Sequence, residues 1–282
     1  MTLPQIKDQF YKELQQLYPR TEIESFLELI LEREFGVRRI DLALDQELRE
    51  RSWDPKPFDE ALQELLKEKP IQYILGKVEF LGMDFCVDES VLIPRPETEE
   101  LAGWVIESAK ELRSPVILDV GTGSGCIAIS LAKLLPGSVI HALDVSPAAL
   151  NTARKNSKRH QTEIRFLERN ILSPEKLEVT YDIMVSNPPY VRKREMAQMR
   201  KNVTRYEPDL ALFVSDDDPL EFFRRIGEHG QTSLRPGGFL FFEINEYLGE
   251  KMVALLTSMG YGEVILKKDI YGKDRMIRAA KK

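Results

Sequence analysis

Cysteine, histidine and long apolar runs are scarce in this 282-residue sequence. Its two cysteines, Cys86 and Cys126, sit in apolar or glycine-rich surroundings with no repeated spacing, which argues against a disulfide framework. The three histidines, His141, His160 and His229, form no ligand pattern, so no metal is expected. No stretch approaches the roughly 20 apolar residues that cross a bilayer. The opening MTLPQIKDQFYKEL lacks the apolar core and cleavage pattern of a secretory leader, and the expectation is a cytoplasmic protein without membrane attachment. An excess of positive charge is missing too. Lys and Arg number 40 against 46 Asp and Glu, a net charge of -6, so the surface as a whole does not attract a polyanion. The local exception is Arg192, Lys193, Arg194, Arg200, Lys201 and Arg205, which reads equally as a solvated face or as a contact for an anionic substrate or RNA.

What is present is a change of period along the chain. The first 75 or so residues read as helices. In IESFLELILEREF (23–35), Phe26, Leu27, Ile30 and Leu31 recur at helical spacing and Gly36 ends the pattern. A second stripe holds Phe58, Leu62, Leu65 and Leu66, entered through the turn material of DPKP (54–57). Between Phe80 and Val91 loose alternation and Gly82 predict a short hairpin. Two prolines in VLIPRPETE (91–99) then fix an extended path of the kind that lines a pocket or links domains.

From Val116 strands alternate with helices. VILDV (116–120), SVIHALDV (138–145), IRFLER (164–169), YDIMVS (181–186), GFLFFEI (238–244) and VILKK (264–268) are strand-like, and helices fit 127–135, 147–157, 219–230 and 247–259. The pattern is that of an α/β fold with a mostly parallel sheet covered on both faces.

DVGTGSGC (119–126) follows one strand and opens one helix. Gly121, Gly123 and Gly125 allow a tight turn close to a ligand. Asp144 ends the next strand, where a carboxylate can accept both hydroxyls of an adenosine ribose. A nicotinamide dinucleotide fingerprint fails, because Cys126 stands where its third glycine belongs. Asp119 either meets the amino-acid part of a nucleoside cofactor or orients the loop. Asn170 either bonds an adenine edge or makes a turn.

Asn187, Pro188, Pro189 and Tyr190 follow YDIMVS at the same sheet edge. The prolines have no N–H and little freedom, so the corner presents acceptors in a fixed arrangement. A primary amide nitrogen is a poor nucleophile with two N–H groups. Held by the Asn187 side-chain oxygen and the Pro188 carbonyl, it is oriented and its developing positive charge is stabilised. Tyr190 would pack on the planar group.

PIQYILG (70–76), IPRPETE (93–99), DVGTGSG (119–125), LDVS (143–146), VSNPPY (185–190) and YEPDLAL (206–212) together resemble the class I S-adenosylmethionine-dependent methyltransferases. Within them the chain is similar to the protein-(glutamine-N5) methyltransferases of peptide chain release factors, the PrmC/HemK family. The resemblance implies a Rossmann-like, seven-stranded methyltransferase domain with a reversed final hairpin (96–282), a small all-helical N-terminal substrate-recognition domain (1–76) and a hairpin linker (77–95). It implies S-adenosyl-L-methionine as cofactor, met by Asp119, Gly121, Thr122, Gly123, Gly125, Asp144, Val145, Asn170 and Asn187. As substrate it implies the glutamine of a Gly-Gly-Gln motif in class 1 release factors, held by Asn187, Pro188, Pro189 and Tyr190 with Arg95 and Glu97 beside them, and as catalytic set Asn187, Pro188 and Tyr190. The protein is expected to be a monomer with no stable DNA binding. Two departures stand out: Asn245 where the family has glycine after Glu243 and Ile244, and Asp216, Asp217, Asp218, Pro219 and Leu220 where it has a Gly-Asp-Gly-Leu turn.

Two other functions compete. Adenine's exocyclic amine would also fit the corner in a DNA adenine-N6 methyltransferase, but the net acidity and Glu22, Glu24, Glu28, Glu32 and Glu34 in the front module oppose a duplex-binding surface. A non-catalytic translation-factor-binding protein would have no need of Asp144 and a complete NPPY corner.

Overall fold

A computed structural model describes the backbone of residues 1–282 and every side chain except those of Gln46 and Arg49. The chain divides into two compact units, Met1–Gly76 with Arg200–Tyr206, and Lys77–Met199 with Glu207–Lys282.

The first unit carries the helices Leu3–Leu14, Arg20–Phe35, Arg39–Leu44, Gln46–Glu50, Lys56–Leu65 and Ile71–Leu75. Leu3, Ile6, Phe10 and Leu14 bury one stripe of the first helix, and Ile23, Phe26, Leu27, Ile30 and Leu31 one stripe of the second. They close on Phe58, Ala61, Leu62 and Leu65 in a single core, where each large side chain contributes about 2 kcal/mol by leaving water. Leu66, expected on that stripe, lies past the helix end and is exposed. Gly36 ends the second helix in the left-handed region, at φ 67°, donating its N–H to Glu32 and Leu31 carbonyls, as its lack of a Cβ allows. The Arg200–Tyr206 segment joins this unit through the Tyr206 hydroxyl, which donates to the Lys67 carbonyl at 2.8 Å, and through an exposed Arg200–Glu22 pair.

The strands all lie in the second unit. They are β1 (Lys77–Phe80), β2 (Met83–Cys86), β3 (Val116–Val120), β4 (Val139–Asp144), β5 (Ile164–Glu168), β6 (Tyr181–Ser186), β7 (Val191–Arg192), β8 (Phe213–Val214), β9 (Leu234–Glu243), β10 (Gly262–Lys268) and β11 (Asp274–Ala280). The hairpin β1–β2 turns at Leu81 and Gly82, both at positive φ, and so falls earlier than the 80–91 expectation. A two-residue turn with both centres left-handed matches the twist of its strands and starts pairing at Lys77.

Seven strands form one sheet in the order β10-β11-β9-β6-β3-β4-β5. β11 runs antiparallel to both neighbours, and the pairs from β9 to β5 are parallel. Successive side chains point to opposite faces of a strand. Accordingly Ile117, Ile140, Ala142, Ile183, Val185 and Phe241 pack in one buried layer, and Leu118, Leu143, Met184, Leu240 and Phe242 in the other. β9 begins at Leu234, before the expected Gly238, because a register shift against β6 absorbs the Pro-Gly-Gly stretch. The residue pattern alone did not single out β11. Among the described residues no helix is long and apolar enough to cross a membrane.

The topology positions the site. From β3 the chain runs outward through β4 and β5, then crosses to the other side of β3 as β6. Val120 pairs with Leu143 on one side and Ser186 on the other. The residues after β3, β4 and β6 therefore emerge together at the carboxyl edge, at the switch point where open α/β sheets bind ligands.

Candidate active site

A cavity of about 250 Å³ opens at this edge within the second unit. The turn after β3 forms one wall. Gly121 and Gly123 sit at φ 74° and 55°, and a Cβ on either would meet nothing within 4 Å, so both leave backbone bare toward open space. Gly125 has a different duty. At φ 81° it precedes the helix Cys126–Leu134, and a Cβ there would lie 3.0 Å from Ile129 Cδ1 and 3.1 Å from Ala153 Cβ. Its absence allows close packing behind the turn rather than contact with a ligand.

Two carboxylates hold this turn. Asp144 accepts from the Gly123 N–H through Oδ2 and the Ser146 N–H through Oδ1, each at 2.9 Å. Burial raises its pKa, opposed by these amides. Asp119 is fully buried, accepting from the Thr122 hydroxyl at 2.6 Å and the Ala128 N–H at 3.2 Å through Oδ2. Burial pushes its pKa up to about 7, with the Asp144 charge adding to the rise. Thr122, Asp144 and Val145 line the cavity, and Asp119 and Gly125 lie behind the wall. The bonds of Asp119 Oδ2 to Thr122 and Ala128 orient the loop. Asn170 lines the cavity, and its side-chain oxygen accepts from the Leu172 N–H at 2.9 Å in a turn.

The opposite wall follows β6. Asn187, Pro188 and Pro189 line it. Asn187 donates from Nδ2 to Thr98 Oγ1 at 3.1 Å, and Thr98 donates to Glu243 Oε2 at 2.6 Å. Tyr190 donates to Glu243 Oε1 at 3.0 Å. Its ring packs against the buried layer of the sheet and is absent from the cavity wall. Burial, reinforced by Glu243, drives the Tyr190 pKa upward. Glu243 itself is raised by burial and restrained by the Thr98 and Tyr190 hydroxyls and the Arg275 charge.

Arg95 and Glu97 are not among the residues that line the cavity. Arg95 pairs with buried Glu207, which also accepts from the Ile93 N–H at 3.3 Å. That carboxylate fastens VLIPRPETE to YEPDLAL and shapes the cavity from outside, since Leu92 and Pro94 on one segment and Pro208 and Leu210 on the other line it. Glu97 is half-buried on the first turn of the helix Pro96–Ala109, and its charge bears on Glu243 and Arg275. Sequence reasoning missed Thr98 and the apolar pair Phe222 and Ile226 on the cavity wall. The latter pair stands at i, i+4 on a helix, which was legible as an apolar face but not as a site.

A family model described as methyltransferase small domain matches residues 104–205. The chain is 48% identical over 281 residues to the release factor glutamine methyltransferase of Flavobacterium psychrophilum, covering 99% of each chain. It is 43% identical to the protein of that name from Bacteroides thetaiotaomicron, covering 94% of this chain and 95% of the relative. A 16S rRNA N2 methyltransferase of T. thermophilus, solved in complex with AdoMet and guanosine, superposes with a TM-score of 0.53 at 19% identity over 73% of this chain and 50% of that one. The last likeness is one of fold.

Proposed function

Because the chain belongs to the release factor glutamine methyltransferases, we propose that it methylates the side-chain amide nitrogen, N5, of the glutamine in the Gly-Gly-Gln motif of peptide chain release factors. The methyl donor is S-adenosyl-L-methionine, and the products are N5-methylglutamine and S-adenosyl-L-homocysteine. One observation carries this reading: Asn187, Pro188 and Pro189 share a cavity with the bare glycine turn and Asp144.

The residues suit such a cofactor. Gly121 and Gly123 offer bare backbone at the cavity wall, Asp144 offers a carboxylate for ribose hydroxyls, and Asn170 an amide for a base edge. When bound, the cofactor supplies a sulfonium methyl, which a neutral nitrogen can accept without a covalent enzyme intermediate. Asn187 Oδ1 and the Pro188 carbonyl accept the two N–H bonds of the substrate amide. They fix the nitrogen for in-line attack and favour the positive charge that grows on it, and the proton in excess after transfer leaves the nitrogen through these acceptors or water. Pro189 stiffens the corner, and Tyr190 braces it through Glu243. The helical unit grips the body of the release factor.

The test is peptide mass analysis of a purified release factor incubated with the protein and S-adenosyl-L-methionine, with Asn187→Ala alongside. A gain of one methylene mass on the Gly-Gly-Gln glutamine, absent with Asn187→Ala, is expected. No gain on several factors from a folded, cofactor-bound protein would overturn the reading, and methylation of DNA in its place would install the adenine-N6 alternative.

A further inference from the structure

We propose that Thr98 and Glu243 are positioning residues that decide which end of the Asn187 amide faces the cavity; the inference rests on the acceptor role given to Asn187 above. Thr98 and Glu243 are both buried, at 3% and 1% exposure, and they reach Asn187 from sequence positions far from the NPPY motif. A threonine hydroxyl has one hydrogen. Here it is committed to Glu243 Oε2 at 2.6 Å. The Thr98 and Tyr190 hydroxyls and the Arg275 charge oppose the rise that burial gives Glu243, and in the ionised form that they favour the carboxylate only accepts. Thr98 Oγ1 therefore has only lone pairs to offer Asn187.

The 3.1 Å separation between Thr98 Oγ1 and the Asn187 side chain is then compatible with one amide orientation. With Nδ2 toward Thr98 an N–H lies between the two atoms. With the amide turned over, two acceptors would oppose each other without a hydrogen, which costs at least the lost bond and the desolvation of both. Donor order thus runs from Asn187 through Thr98 to Glu243. Asn187 Oδ1 is left as the acceptor that the side chain presents elsewhere. A turned amide would present N–H groups to the N–H groups of the substrate and would abolish the site's selectivity for a primary amide.

Thr98→Val keeps the shape of the side chain and removes both the lone pairs and the hydrogen. Glu243→Gln keeps the shape of the carboxylate but can donate as well as accept, so the Thr98 hydrogen is no longer committed. Thr98→Ser keeps the relay. With the full chain, S-adenosyl-L-methionine and a release factor that the native protein methylates, Thr98→Val and Glu243→Gln are expected to lower kcat by roughly 10- to 100-fold, with KM for the release factor nearly unchanged, whereas Thr98→Ser stays within about threefold of native. A readout without turnover accompanies this: the side-chain NH₂ resonances of Asn187 in ¹⁵N-labelled protein, identified by their loss in Asn187→Ala. They are expected to move in Thr98→Val and in Glu243→Gln and to hold their place in Thr98→Ser.

Native kcat in both Thr98→Val and Glu243→Gln, equal losses in Thr98→Val and Thr98→Ser, or a rise confined to KM would overturn the inference. A native protein that methylates no Gly-Gly-Gln factor would instead overturn the functional reading, and the resonances of the same variants would still decide the orientation of Asn187.

Discussion

The two walls of the cavity are held by different kinds of bond. On the glycine side the donors are largely backbone amides: Gly121 and Thr122 donate to the Leu143 carbonyl, and Gly123 and Ser146 donate to Asp144. On the Asn187 side they run between side chains from three distant stretches of chain, Asn187 to Thr98 to Glu243. A wall made of backbone is shaped by conformation, so damage to it should appear in stability and ligand affinity. A wall made of a side-chain relay is shaped by donor order, so damage there should appear in rate.

The largest effect expected from this contrast is on turnover. Asn187→Ala removes the acceptor from the reacting amide and should lower kcat by about 100- to 1000-fold, the range found when one preorganised polar contact to a transition state is deleted. Cofactor affinity, measured by calorimetry, should change little. A loss of affinity as large as the loss of rate would erase the distinction between the walls.

Next in size is a change to the backbone wall. Gly125→Val meets Ile129 Cδ1 at 3.0 Å and Ala153 Cβ at 3.1 Å from its first added atom, at a left-handed φ of 81°. Strain and overpacking together should cost about 2–4 kcal/mol, read from urea unfolding. Gly121→Ala, with φ 74° and nothing within 4 Å, bears the backbone term alone, about 1–2 kcal/mol. Equal losses at the two positions would mean that the close packing behind Gly125 is not what requires glycine.

The same contrast explains what was legible in the sequence. The sheet, the glycine turn, Asp144 and the NPPY corner were readable because each depends on neighbours in sequence: a period of two, a left-handed turn, a strand end, a pair of prolines. Thr98 and Glu243 were not assigned to the site, since a hydroxyl and a carboxylate on opposite sides of the sheet's sequence carry no spacing signal until the fold brings them to 2.6 Å. Arg95, placed beside the substrate by the resemblance, has a structural partner that no local pattern announces: its guanidinium is turned to Glu207, more than a hundred positions away. The hairpin turn and the start of β9 shifted for similar reasons, because positive φ at Leu81 and the register shift against β6 are properties of pairing.

A smaller effect is expected at Asp144. Asp144→Ala leaves the Gly123 and Ser146 amides without their acceptor and removes the carboxylate offered to ribose. Cofactor affinity should fall about tenfold, or about 1.4 kcal/mol, with kcat at saturating cofactor close to native. A fall in kcat without a change in affinity would move Asp144 to the rate-setting wall.

The remaining effect sits behind the glycine turn and shows itself through pH. Asp119 is fully buried and its Oδ1 has no hydrogen-bond partner, so burial lifts its pKa from 3.8 to about 7. Between those values the folded protein keeps a proton that the unfolded chain has released. Stability therefore includes a contribution that is fully present below the unfolded pKa and is lost as pH rises toward and through about 7. Asp119→Asn keeps an acceptor for the Thr122 hydroxyl and does not titrate. Urea midpoints for both proteins at about pH 5 and about pH 8 should show the native protein losing stability relative to Asp119→Asn as pH rises. Parallel midpoints would mean that Asp119 is ionised throughout and that its bonds to Thr122 and Ala128 outweigh its burial. The glycine turn would then be anchored by a charge, and the backbone wall would share the electrostatic character of the wall opposite.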